Sequence, residues 1–388
     1  MKDKMKINFP LLSLAIGAFA IGTTEFSPMG LLPNIAQDSN TSIPTAGMLI
    51  TGYALGVMIG APIMTLWFAR FSQRKALILL MMIFTLGNLW AAFSPSYLSL
   101  MFARLLTSLN HGAFFGIGSV VAASLVAKNQ QASAIATMFM GLTIANIGGV
   151  PLATWVGQHI GWRSSFAAIT LLGLITIAAL YKALPKGSVG QKPNIRHELS
   201  VLTRPKVLLA LVTTVFGAGA MFALYTYIAP TLHAFNQATP LFVTCMLVLI
   251  GIGFSIGNHL GGKFADLSLN KTLIVFLTIL IASMLLFPIL AKTQLGTAIA
   301  LVIWGAAAFG LVPPIQMRVM SVAHEASGLA SSVNIGAFNL GNALGAAVGG
   351  GVLSLNLGYI AVPISGAILA TITLGLVLLQ MRLARHGQ

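Results

Sequence analysis

Residues 9–32 read FPLLSLAIGAFAIGTTEFSPMGLL, a 24-residue run whose one charged side chain is Glu25. A helix that crosses a bilayer needs roughly 20 apolar residues, each adding about 1.5 Å of rise. This run is long enough to cross. Lys2, Lys4 and Lys6 precede it, as basic residues precede the apolar part of a secretion signal. The run is too long for a signal core, however, and lacks a small-residue cleavage pattern, so it reads as a retained first helix.

The same ruler applied outward finds eleven more candidates. The twelve lie near 9–35, 43–68, 76–93, 97–125, 132–157, 164–184, 207–232, 240–262, 272–291, 296–320, 326–353 and 358–381. Composition requires lipid as the solvent. Of 388 residues, 57% are hydrophobic and 7% charged, and the mean hydropathy is +0.92. A soluble domain carries roughly 25% charged residues to cover its surface. A soluble enzyme is therefore excluded. So is a nucleic-acid-binding protein: the net charge of +15 is scattered through short loops and forms no single patch. Backbone groups in hydrocarbon must be satisfied internally, which makes the chain an all-α helix bundle with twelve transmembrane helices. The single cysteine, Cys245, excludes internal disulfides and thiol metal sites.

Basic residues set the orientation. With a cytoplasmic N-terminus, 18 of them fall on the cytoplasmic side: Lys2, Lys4, Lys6, Arg70, Arg74, Lys75, Lys128, six from Lys182 to Lys206, Lys263, Lys271, Arg318, Arg382 and Arg385. Arg163 and Lys292 fall opposite, and Arg104 falls inside a span. Both termini are expected in the cytoplasm, in a multi-pass protein of the bacterial inner membrane.

The longest polar stretch, around 182–206, divides the spans six and six. The expected organisation is a six-helix half over 1–184, a cytoplasmic linker over 185–206 and a second six-helix half over 207–388. The halves resemble each other. Gly56 and Gly60 fall on Gly253 and Gly257 at an offset of 197, which also sets Thr65 on Gly262, Ala69 on Asp266 and Arg74 on Lys271. Gly141 falls on Gly336 at an offset of 195. Such a duplication fits a parallel repeat about an axis along the membrane normal.

Three runs carry a resemblance to a known family: Gly22-Thr-Thr-Glu25-Phe-Ser-Pro-Met-Gly30, Asn110-His111-Gly-Ala-Phe-Phe-Gly116 and Ser331-Ser-Val-Asn334-Ile-Gly-Ala-Phe-Asn339-Leu-Gly-Asn342. With them the chain resembles, over essentially its whole length, the major facilitator superfamily. Within it the chain is similar to the twelve-helix drug:proton antiporter branch and its bacterial sugar-efflux and arabinose-polymer transporters. The resemblance implies two six-helix halves and alternating access.

The family's loop between helices 2 and 3 reads Gly-x-x-x-Asp-Arg-x-Gly-Arg-Arg/Lys. Here Thr65 and Ala69 replace the glycine and the acid, while Arg70 and Arg74 remain. The second copy keeps Gly262 and Asp266 and ends on Lys271. The resemblance makes Arg70, Arg74, Gly262, Asp266 and Lys271 gate candidates. In helix 5, Gly141, Gly148, Gly149, Pro151 and Gly157 resemble the antiporter signature, although Val150 interrupts its usual Gly-Pro pair. Small residues and a proline also serve close packing there.

Glu25 is the one acid well inside a span. Asp3, Asp38, Glu198, Asp266 and Glu325 fall in loops or at helix ends. Glu25 is eight residues from Pro33, about 12 Å below the outer end of its helix and nearly level with Arg104. His111 shares a face with Arg104 at i+7, about 10 Å deeper. An ionisable residue in a membrane helix is costly and marks an ion or proton path. Glu25, Arg104 and His111 are thus the proton-coupling candidates, with Arg104 as charge partner. The alternatives are a structural ion pair for Glu25 and a simple cross-helix hydrogen bond for His111.

The resemblance implies a substrate cavity lined by helices 1, 4, 7 and 10, with candidates Phe26, Asn110, Phe114, Phe115, Phe222, Tyr225, Tyr227, Trp304 and Phe309. Asn146, Asn334, Asn339 and Asn342 join them. An aromatic lining with few charges suits lipophilic or neutral polar solutes. The expected function is a secondary transporter that exports small molecules, drug-like or sugar-related, by proton antiport. An importer or uniporter of a neutral metabolite is the alternative within transport. A membrane-embedded enzyme would need clustered nucleophiles, metal ligands or paired carboxylates. The seven histidines (111, 159, 197, 233, 259, 324 and 386) show no i,i+4 pair with an acid between. A channel would need charge rings or a filter repeat. No metal and no cofactor are expected. The expected partners are a small-molecule substrate, protons and the lipid bilayer, and the protein is expected to be a monomer.

Overall fold

A computed structural model describes residues 8–41, 43–186 and 194–386. All regular structure among them is helical. The first four spans are α1 (Phe9–Asp38), α2 (Ile43–Phe68), α3 (Gln73–Ala92) and α4 (Tyr97–Ser124). The fifth is α5 (Gln131–Ile144) and α6 (Val150–His159), joined by a π-helical turn at Ala145–Gly149. α7 (Trp162–Ala183) is the sixth. After a short helix, α8 (Ile195–Leu202), come α9 (Pro205–Tyr225) with α10 (Ile228–Asn236), α11 (Pro240–Leu267) and α12 (Leu269–Leu290). The tenth span is α13 (Gln294–Gly310) with α14 (Val312–Val322), followed by α15 (Ser327–Ser354) and α16 (Ala361–His386).

Eleven of these spans are long and apolar enough to cross a membrane. The remaining one, α15, has 28 residues, about 42 Å of helix, but carries Ser, Asn and many Gly. Large apolar side chains such as Ile63, Leu86 and Phe102 are exposed. That surface is suited to lipid tails and not to water.

Proline accompanies two of the breaks, although Pro28, Pro33, Pro62 and Pro288 sit inside continuous helices. Pro151 has no N–H for the Ile147 carbonyl, and the ladder widens into the π turn just before it. Pro313 and Pro314 open α14 in the same way, immediately after the break at Leu311. Helix starts are capped by side chains: Ser72 accepts from the Lys75 N–H, Ser96 from Ser99, Thr239 from Phe242 and Thr293 from Gly296. Each cap satisfies a donor that has no partner within its own helix.

The chain forms two compact units. One holds 1–128 and 137–193, the other 129–136 and 194–388. Their interiors repeat each other. In the first, Gly60 of α2 lies against Leu109 of α4, and Gly56 against Leu105 and Ser108. In the second, Gly257 of α11 lies against Ala306 of α13, and Gly253 against Val302. Both glycines and their partners Leu109/Ala306 and Leu105/Val302 are displaced by 197 residues. A repeat that conserves the pair and not only the glycine is a duplicated helix contact. A Cβ on Gly257 would run into the backbone of Ala306. Gly257→Leu should therefore cost about 1–3 kcal/mol or prevent folding. Gly375→Leu, where the added atoms meet open space, should leave thermal unfolding in detergent unchanged. Equal melting of the two variants would count against the repeat contact.

The stretch read as linker contains a helix that charge and Pro/Gly content did not announce. Asn194 caps α8 by accepting from the His197 N–H, and Glu198 lies in its first turn, where the helix dipole favours an acid. Val201 buries against Val207, Ala210, Val319, Ala323, Ala326 and Ala330. Arg204 then donates twice to Glu325, at 2.8 Å to each oxygen, and His197 Nε2 approaches the same carboxylate at 3.3 Å. The Arg204 hydrogen bonds hold Glu325 below the usual carboxylate range. A depressed pKa contributes above the unfolded value and is lost as pH falls through the folded one. Docking of α8 should thus persist at neutral pH and loosen below the ordinary glutamate range. Glu325→Gln should loosen it at every pH. Tryptic cutting at Arg196 reads both.

Candidate functional site

The coupling candidates converge within the first unit. α1 presents Thr24 and Glu25, α2 Tyr53, α3 Asn88, and α4 Arg104 and His111. Glu25 Oε2 lies 4.0 Å from His111 Nδ1. The Tyr53 hydroxyl lies 3.3 Å from that same nitrogen. The Arg104 guanidinium sits over the Tyr53 ring, 4.2 Å from its centroid. Its Nη1 donates to the Thr24 carbonyl at 2.7 Å. Thr24 Oγ1 in turn donates to Asn88 Oδ1 at 2.6 Å, and Asn88 Nδ2 to the Phe84 carbonyl.

The Arg104–Thr24 bond has a cause in the sequence. Pro28 is four residues after Thr24 and has no N–H, so the Thr24 carbonyl loses its helical donor. Arg104 supplies it. A buried cation needs such partners, and Arg104 is only 1% exposed. The Tyr53 face adds a cation–π contact, worth about 2 kcal/mol when desolvated. Nε and Nη2 of Arg104 are buried without a hydrogen-bond partner.

Two features differ from the helix-rise arithmetic. Glu25 comes within ion-pair distance of His111, and among the described residues no such pair joins it to Arg104. Tyr53 links the cation to the imidazole, and the reading of α2 through its glycines passed over it. A signal was present: Tyr53 is three residues before Gly56, on the face that packs against α4. At the 197-residue offset, Arg104, His111 and Tyr53 fall on Leu301, Ala308 and Ile250. Of this cluster, only the first unit carries titratable groups at these positions. The other described acids have different settings. Asp38 pairs with Arg163 at 2.7 Å, Glu325 with Arg204, Asp266 with backbone, and Glu198 lies on α8.

The expected cavity residues are dispersed. Phe26 is half-buried on α1. Phe114 packs on Gly17, and Phe115 stacks on Phe139 and meets His111 at a tilt. Asn110 is buried with Nδ2 toward Met81 sulfur and Oδ1 unpartnered. Asn146 lies in the π turn and donates to the Leu142 carbonyl. In the second unit Phe222, Tyr225, Phe254, Trp304 and Phe309 form one aromatic cluster, in which Trp304 Nε1 is buried and unpartnered. Tyr227 donates to the Ala346 carbonyl. Asn334 accepts from Thr214 at 2.5 Å and donates to Gln316 Oε1 at 2.6 Å, and Gln316 bonds Ser331. Asn339 donates within its own helix, and Asn342 Oδ1 is unpartnered. Thr214 and Gln316 were not anticipated, because neutral polar residues give no periodic signal.

In the helix-5 motif, Gly141, Gly149 and Gly157 lie against Ala15, Thr23 and Leu31 of α1, where a Cβ would collide. Gly148 faces open space, and Pro151 is exposed in the first turn of α6. The gate candidates separate. In the second unit Asp266 accepts from the Ala132 N–H at 2.8 Å, the Ser133 N–H at 3.0 Å and the Ser133 hydroxyl at 2.5 Å. A carboxylate there caps the positive end of α5. Gly262 lets the helices meet at Ala132 and Ala136, and Asn258 donates to the Ala136 carbonyl. Lys271 is exposed. Arg70 and Arg74 lie on aromatic rings of the first unit.

Duplicated six-span halves of membrane-crossing helices, with titratable groups buried in one of them, define a polytopic secondary transporter and not an enzyme. The chain belongs to the Major Facilitator Superfamily, whose profile matches residues 14–350. It is 65% identical over 378 residues to "Inner membrane transport protein YdhP" of Escherichia coli, covering 97% of each chain. It is 39% identical over 368 residues to the MFS-type transporter YtbD of Bacillus subtilis, covering 93% of this chain and 92% of that one. The crystal structure of the human organic anion transporter MFSD10 (TETRAN) shares the fold, with a TM-score of 0.77 at 13% identity. The match covers 96% of this chain and all of that one (100%).

Proposed function

We propose that the protein exports a small, neutral or lipophilic molecule across the bacterial inner membrane in exchange for protons. Glu25 is the proton-carrying group, His111 its nearest partner, and Tyr53 and Arg104 hold that partner in place. The observation that carries this reading is the shared nitrogen. His111 Nδ1 is 3.3 Å from the Tyr53 hydroxyl and 4.0 Å from Glu25. One ring nitrogen can serve either neighbour, so gain or loss of a proton on Glu25 changes which bond is made. Release of Asp266 from the start of α5 is the accompanying gate step, and Gly141, Gly149 and Gly157 supply the close packing on which helix 5 moves.

The test is proton flux in liposomes. With an imposed pH gradient, addition of a transported solute dissipates the gradient, and reversing the gradient reverses the solute movement. Solute flux indifferent to the gradient would favour a uniporter.

The 18-to-2 distribution of basic residues and the name of the YdhP relative support an inner-membrane location with both termini in the cytoplasm. A cysteine at Lys186 should label from the cytoplasmic side only. Lys192, the companion position in the same stretch, lies outside the described residues. Labelling from the periplasm would reverse the topology.

A further inference from the structure

The repeat leaves one cluster of cations without an acid. Position 266 in the second unit is Asp, and its carboxylate is consumed by the backbone at Ala132 and Ser133. The equivalent position in the first unit is Ala69. Beside it stand Arg70, Arg74 and Lys75, and among the described residues none of them pairs with a carboxylate within 4.0 Å. They lie on aromatic faces instead. Arg70 sits 5.3 Å from the centroid of Trp67 and 5.1 Å from that of Phe71. Lys75 lies 4.8 Å from the Phe71 centroid, and Arg74 lies 4.7 Å from that of Tyr181 and donates to the Tyr181 carbonyl. Trp67, at the end of α2, is 59% exposed, and Tyr181, near the end of α7, is 66% exposed.

Exposed Trp and Tyr at the ends of membrane helices settle at the level of lipid headgroups. Here they carry Arg70 and Arg74, while Phe71 carries Lys75, and among the described residues no acid takes the donors of these three cations. A phosphate oxygen is the acceptor such donors fit, and at that depth phosphates belong to lipids. We propose that the Trp67–Arg70–Phe71–Arg74–Lys75–Tyr181 surface binds the headgroup of an anionic phospholipid. The lipid phosphate occupies the place that a side-chain carboxylate would take, and the aromatic rings hold the cations at headgroup depth.

Trp67 reports on its own site. Its emission in lipid nanodiscs is the difference between the wild type and Trp67→Phe. Phosphatidylglycerol with brominated acyl chains should quench that signal more strongly than brominated phosphatidylcholine at equal mole fraction. Arg70→Gln, Arg74→Gln and Lys75→Gln should each lower the preference, roughly fivefold per cation lost. The triple variant should abolish it, and the single variants decide the matter should the triple variant not fold. Inorganic phosphate should leave the quenching unchanged. Equal quenching by the two lipids, or a preference that survives neutralisation, would overturn the site. Loss of quenching on adding inorganic phosphate would overturn it in favour of a free anion.

Discussion

Glu25→Gln should abolish solute transport driven by a pH gradient while leaving the melting temperature of the protein close to wild type. Glutamine keeps the size and hydrogen-bonding capacity of the side chain and cannot titrate. Loss of fold is not expected, because no hydrogen bond of the Thr24–Asn88–Arg104 network passes through the Glu25 carboxylate. Exchange of labelled solute across the membrane without a gradient should survive, since exchange needs no net proton movement. His111→Gln should shift the pH profile of transport. Tyr53→Phe should shift it as well while keeping the ring beneath Arg104. Combining His111→Gln with Tyr53→Phe should add little, because both act on one ring nitrogen. Proton flux at several pH values is the measurement. Undiminished coupling in Glu25→Gln would remove Glu25 from the mechanism. Asp266 and Glu325 would then be the next acids to test, although each is already committed to strong bonds.

The spans were legible because lipid demands one simple pattern, a long apolar run, and nine of the twelve expected segments lie on one observed helix, while 132–157, 207–232 and 296–320 each lie on a broken pair. The breaks before Pro151 and at Leu311, ahead of Pro313-Pro314, were not read, because 132–157 and 296–320 stay apolar straight through them. What escaped depended on partners distant in sequence. The eight residues of α8 bury Val201 on Val319, Ala323 and Ala330, more than a hundred positions away, and the local start signals, the Asn194 cap and Glu198 in the first turn, were passed over amid the charge and Pro/Gly content of the stretch. Arg318, counted among the loop cations, is buried within α14 and bonded to Gln380 and Asn270. Glu25 was expected beside Arg104 because rise along each helix was the only measure of depth. Rise ignores side-chain reach, and the closer neighbour is His111. The neutral chain Thr214–Asn334–Gln316–Ser331 was half legible: Asn334 is conspicuous in an apolar helix, while its partners are ordinary residues until the helices meet.

Arg104→Ala should destabilise the protein, and Pro28→Ala should restore part of what is lost. Without the guanidinium, the Thr24 carbonyl has neither a side-chain donor nor an N–H at residue 28. An unsatisfied buried carbonyl costs about 1–3 kcal/mol, and the emptied space over Tyr53 adds a packing loss. Alanine at 28 brings back the backbone N–H that proline lacks, so α1 can satisfy Thr24 by itself. In a double-mutant cycle read by unfolding in detergent, the two substitutions should couple by about 0.5–3 kcal/mol, the double variant being more stable than Arg104→Ala alone. Simple additivity would show that Arg104 is not there to serve the carbonyl. Transport should not return with stability, because the double variant still lacks the cation over the Tyr53 ring that holds the hydroxyl at His111. If both returned together, Arg104 would be a structural donor for a broken helix, and the coupling site would reduce to Glu25, His111 and Tyr53.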